Sequence, residues 1–111
     1  MHNAANPDHG AIDVALTQPI APDAALGVRV GPFAIAIFEV DGALHAIDGA
    51  CMRCGASLAA GVRRGSHVAC GGCGWAYELT SGDVVGLASL HLDAFRVERV
   101  GDALKLERKA R

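Results

Sequence analysis

The chain has 111 residues, of which 51% are hydrophobic, 20% charged and 5% aromatic, with a formal net charge of -2. This length suits one domain with one packed core, and the apolar share excludes a disordered chain. The basic residues cluster only at Arg63-Arg64 and in the tail at Arg108, Lys109 and Arg111, which speaks against a nucleic-acid partner, since such proteins normally carry a basic face.

The start, "MHNAANPDHGAIDVAL", has no positively charged beginning followed by an apolar run, so no secretory signal is expected. No stretch reaches the roughly 18 apolar residues that span a bilayer. A soluble, cytoplasmic protein with no membrane association is the expectation, and in that compartment thiols stay reduced. Residues 1–25 hold three of the four prolines, Pro7, Pro19 and Pro22. They are expected to be flexible or partly ordered, with "IDVALTQPIAPDAAL" offering a first strand. Residues 26–111 are expected to form the domain proper.

From "GPFAIAIFEV" onward the pattern is β. Phe33, Ile35 and Ile37 alternate with Ala34, Ala36 and Phe38, so both faces are apolar and a largely buried strand is predicted. Asp41-Gly42 separates it from "ALHAI" as a two-residue hairpin turn. Further on, Trp75, Tyr77 and Leu79 alternate with Ala76 and Glu78; Trp75 and Tyr77 are read as inward core residues. Thr80-Ser81-Gly82-Asp83 is predicted to close that strand as a turn. "AFRVERV", Gly101-Asp102 and "ALKLE" make a last hairpin, with Phe95, Val97, Leu104 and Leu106 facing inward. No segment carries a helical stripe of three turns. About six to eight short strands predict an all-β domain, a small antiparallel sandwich or barrel.

All four cysteines fall between residues 51 and 73, as Cys51-x2-Cys54-x15-Cys70-x2-Cys73, with Gly55 and Gly74 directly after each pair. A two-residue gap lets both thiolates of a pair point at one ion, and the glycine after it supplies a backbone position that a Cβ would obstruct. The spacing is in the range of four-thiolate metal sites. A redox pair at "CGGC" would need a helix opening at the first cysteine, and the flanks here are strands. Disulfides within such short loops would stabilise little. Cys51, Cys54, Cys70 and Cys73 are therefore read as metal ligands, on a subdomain of about residues 50–80. Arg53, Gly55, Gly72 and Gly74 flank the sulfurs and are candidates to support them. The five histidines, His2, His9, His45, His67 and His91, are read as structural or solvated.

The run "IAIFEVDGALHAIDGACMRCGASLAAGVRRGSHVACGGCGWAYELTSGDVV", followed by "LDAFRVERVGDALKLE", resembles the Rieske ferredoxin family from about residue 26 to 107. The resemblance rests on the "VDG" hairpin, the cysteine loop followed by Gly-Ala-x-Leu, the second cysteine loop, Gly-Trp-x-Tyr-x-Leu-x-x-Gly and the closing hairpin. It implies an antiparallel β-sandwich with a small inserted metal-binding subdomain, a [2Fe–2S] centre, and single-electron transfer, often to ring-hydroxylating oxygenases. The family's loops read Cys-x-His and Cys-x-x-His, the cysteines on one iron and the histidines on the other. Cys51 and Cys70 match the family's cysteines and Cys73 stands at the second histidine. Arg53 stands at the first histidine, with the fourth thiol one residue later at Cys54. The family's usual loop prolines are absent.

Three occupants suit four thiolates: a [2Fe–2S] cluster, which the resemblance favours, a single iron, or zinc. With iron, exchanging two neutral imidazoles for two thiolates adds negative charge. The potential should then fall toward the roughly -400 mV of all-cysteine ferredoxins, and the imidazole titration should disappear. Arg53, Arg63 and Arg64 are able to offset part of that charge. With zinc, the closed donor set implies a structural or docking module. The expected role is a small electron carrier serving a reductase, an oxygenase or another redox partner, rather than a self-contained enzyme.

Overall fold

A computed structural model describes residues 12–15 and 25–109. Among the described residues the chain forms eleven strands: β1 (Ile12–Ala15), β2 (Ala25–Val30), β3 (Phe33–Val40), β4 (Ala43–Asp48), β5 (Val62–Arg64), β6 (His67–Ala69), β7 (Ala76–Glu78), β8 (Asp83–Val84), β9 (Leu87–His91), β10 (Ala94–Val100) and β11 (Ala103–Arg108). One 3-10 turn, Leu58–Ala60, interrupts them. All pairings between strands are antiparallel.

The strands make two sheets, one in the order β1-β11-β10-β4-β3-β2 and one in the order β5-β6-β7-β8-β9. The all-β antiparallel sandwich expected from the sequence is thus the observed architecture. The two hairpins expected in the larger sheet form as read. Asp41 (φ 51) and Gly42 (φ 86) both take the left-handed backbone that a tight β3–β4 turn demands. β10 and β11 pair from Phe95↔Arg108 to Val100↔Ala103. β1 lies in the same sheet, with Ile12 opposite Leu106, and the sheet curls until its end strands β1 and β2 touch.

The alternation of β3 places apolar side chains on both sides of this sheet, as its sequence predicted. Ile35, Ile37, Ala46, Phe95, Leu104 and Leu106 pack together on one face, with Val97 partly buried against them. Ala36, Phe38 and Ile47, on the other, join Cys51, Leu58, Val68, Cys70, Tyr77, Leu79, Val84, Leu92 and Ala94. That second cluster fills the space between the sheets, and two of the cysteines are part of it. Phe33 departs from the expected burial, being 45% exposed at the very start of its strand.

The strand count exceeds the expected six to eight. The additional pairs are β5–β6, between the two cysteine pairs, and β8–β9, with the expected turn ending one residue early because Asp83 already belongs to β8. These strands are two to five residues long, and β5 is Val-Arg-Arg. Segments so short hardly establish a period of two, and their register is imposed by pairing to β7 rather than by their own pattern.

Candidate metal centre

The first cysteine loop leaves β4 and the second joins β6 to β7. Each is closed at its neck by the same hydrogen bonds. Cys51 N–H donates to the Ala56 carbonyl at 2.9 Å and Cys70 N–H to the Trp75 carbonyl at 2.7 Å. Gly55 and Gly74 then donate back to the Cys51 and Cys70 carbonyls at 2.8 and 2.9 Å. Both glycines hold positive φ, 81° and 85°, a conformation that side-chain-bearing residues adopt at a cost of about 1–2 kcal/mol. The Cys-x-x-Cys-Gly spacing is therefore a requirement of the loop's own backbone.

The loop tips turn their amides onto sulfur. Arg53 N–H donates to Cys51 Sγ at 3.4 Å and Gly72 N–H to Cys70 Sγ at 3.3 Å. Between the loops, Cys51 Sγ lies 3.6 Å from Cys73 Sγ and Cys54 Sγ lies 3.4 Å from Cys70 Sγ. All four sulfurs are within 4.8 Å of one another, a grouping able to hold a metal ion. Cys51 and Cys70 are buried at 3% exposure, whereas Cys54 is exposed and Cys73 half-buried. The pocket therefore has an inner edge against the core and an outer edge toward solvent.

Burial would push the Cys51 thiol up, but the Tyr77 hydroxyl, the Cys54 and Arg53 amides and the Cys73 thiol together bring it down to about 6. Cys70 is likewise lowered: burial opposes ionisation and is outweighed by the Cys73 and Gly72 amides and the Cys54 thiol. At Cys54 the Ala56 amide favours the thiolate, yet the hydrogen bond with Cys70 and the other sulfurs drive it up to about 11. Without metal Cys51 is thus readily anionic, Cys70 is shifted in the same direction, and Cys54 retains its proton. A cation entering among the sulfurs would displace that proton.

Of the flanking candidates, Gly72 sits closest to the sulfurs. A Cβ there would lie 3.1 Å from Cys54 Sγ and 3.7 Å from Cys70 Sγ. Arg53 stands over the Trp75 ring, its guanidinium carbon 5.5 Å from the centroid, and contributes to sulfur only through its backbone. Arg63 donates to the Gly65 carbonyl at 2.6 Å inside the β5–β6 hairpin. Trp75 is half-buried against the core between the sheets. Of the five histidines, His45, His67 and His91 lie among the described residues and none joins the sulfur group; His2 and His9 fall outside the described residues.

Tyr77 is the participant that sequence reasoning missed. It is fully buried, as expected of a core residue, but its hydroxyl is 3.1 Å from Cys51 Sγ and accepts Met52 N–H at 3.1 Å. Burial, then the hydrogen bond to Cys51, raises its pKa, so it stays a neutral phenol. A signal existed: a tyrosine at an inward position needs a partner for its hydroxyl, and the neighbouring loops offer sulfur.

A Rieske [2Fe–2S] domain family model matches residues 10–96, and the chain belongs to that family. No curated protein matches it in sequence. Among solved structures it is similar to a chain of the complex of reduced oxygenase and oxidised ferredoxin in carbazole 1,9a-dioxygenase, with TM-score 0.78, 22% identity, and 93% of this chain and 99% of that one covered. The ferredoxin of Sphingomonas yanoikuyae B1 gives TM-score 0.75 and 16% identity, covering 88% and 98%. The terminal oxygenase of carbazole 1,9a-dioxygenase from Novosphingobium sp. KA1 gives TM-score 0.75 and 20% identity, covering 91% of this chain but 30% of that one. At these identities the likeness is one of fold. The family implies an iron–sulfur cluster, and four thiolates suit iron chemically. Their close spacing, however, does not fit a two-iron centre, whose bridging sulfides hold the two ligand pairs apart.

Proposed function

We propose that this protein is a small, soluble, cytoplasmic electron carrier of the Rieske ferredoxin type, with iron held by Cys51, Cys54, Cys70 and Cys73. It would accept one electron from a reductase and deliver it to an oxygenase or another redox partner. Arg53, Gly55, Gly72 and Gly74 shape the loops, and residues 50–80 act as the metal-binding subdomain. The observation that carries this reading is the four-sulfur group on a Rieske fold with its outer edge exposed at Cys54. A centre at the protein's edge comes close to a docked partner, while Tyr77 and the loop amides stabilise the negative charge that reduction adds.

A second reading has support in the same donor set: four thiolates also suit zinc and leave no open position, which would make the protein a redox-silent structural or docking module. Anaerobic purification followed by a redox titration separates the two. Bound iron that takes up and releases one electron reversibly is the expected result. A colourless protein that keeps zinc and does not exchange it for iron under reducing reconstitution would overturn the carrier role.

A further inference from the structure

We infer that the four sulfurs hold one tetrahedral metal ion instead of the two-iron cluster of the family. This rests on the reading of the four cysteines as ligands and concerns how many metal atoms they enclose. A metal–thiolate bond of about 2.3 Å makes every edge of a tetrahedral site about 3.8 Å. A [2Fe–2S] centre is two such tetrahedra sharing their sulfide edge, so its two thiolate pairs lie about 5.4 Å apart or more. Only the two thiolates on the same iron can be close; the other four sulfur–sulfur separations must be long. Here no separation exceeds 4.8 Å, and the two contacts between the loops are 3.6 and 3.4 Å.

The loops leave no slack for bridging sulfides. Each is fixed by its neck hydrogen bonds and by an amide on its own inner sulfur, and Cys54 Sγ approaches Gly72 so closely that a Cβ there would lie 3.1 Å from it. The sequence shows how this comes about. Residue 53, where the family carries its first histidine, is an arginine lying over Trp75; the ligand has moved to Cys54, whose side chain is shorter than an imidazole. Both changes draw the loops together around a single centre, and the like backbone of the two loops gives that centre two sulfurs from each.

The test is titration of the anaerobic metal-free chain with Zn2+, and in parallel with Fe2+ in the presence and absence of sulfide, read by intact mass under native conditions and by thiol alkylation. Saturation at one ion per chain, protection of all four thiols, and no sulfide in the product are expected. Two irons with two sulfides per chain would overturn the inference, as would saturation with any thiol still free. The outcomes separate from those of the carrier role. A single zinc that iron does not replace sustains this inference and ends the carrier reading. A reducible two-iron cluster does the reverse.

Discussion

Tyr77 links the core to the sulfurs: its ring is fully buried between the sheets and its hydroxyl bridges Cys51 Sγ and the Met52 amide. Tyr77→Phe keeps the packing and removes both hydrogen bonds, leaving Met52 N–H unpaired at a cost of about 1–3 kcal/mol. In the iron-loaded protein the potential should also fall, because a donor to thiolate favours the reduced, more negative state. If the bond differs by about 1 kcal/mol between oxidation states, the drop is about 40 mV. Spectroelectrochemistry of the two proteins measures it, and an unchanged or higher potential would refute this role for the hydroxyl. Gly72→Ala acts from the opposite loop, where the new methyl must push Cys54 Sγ or the Ala56 side chain aside. Metal affinity should drop by about 10-fold or more, as when other supporting residues around metals are altered, in a competition titration against a chelator.

The elements divide into those whose sequence declares them and those that their neighbours impose. The β3–β4 and β10–β11 hairpins were legible because each has strands of six to eight residues around an Asp-Gly or Gly-Asp turn. β5, β6, β8 and β9 were not, being short and partly polar, and existing because β7 and its partners offer them edges. The cysteine loops were legible as a pattern, since spacing alone implies convergence. How tightly they close was not, because it depends on where β4, β6 and β7 place the loop necks. The larger sheet's two faces also predict a separation of effects. Leu104→Ala empties a site on the face turned away from the cysteines and should cost about 2–5 kcal/mol. Metal stoichiometry should be unchanged, as read by denaturant melts and metal analysis; loss of metal in the folded variant would contradict the separation.

At the scale of the molecule, stability should depend on pH through His45, on β4 opposite Phe38. Partial burial and then the charges of Lys109 and Arg63 lower its pKa below the usual 6.5. The fold therefore favours the neutral ring: its contribution is present above about pH 6.5 and is lost as pH falls toward the depressed value. The melting temperature of the wild type should fall more than that of His45→Gln between pH 7 and 5, and parallel curves would contradict this. Metal removal should act on the other half of the molecule. With the sulfurs unbridged, amides of residues 50–79 should exchange faster while β11 and its pairing with β10 stay protected, because Leu104 and Leu106 pack in the cluster on the face turned away from the cysteines. Uniform acceleration across the chain would show instead that the metal holds the whole fold. The central claim, one ion on four thiolates in a Rieske fold, is tested most directly by X-ray absorption at the metal edge of the anaerobically purified protein. Four sulfur neighbours at about 2.3 Å with no second metal nearby is the predicted result; a short iron–iron distance, or nitrogen among the ligands, would contradict it.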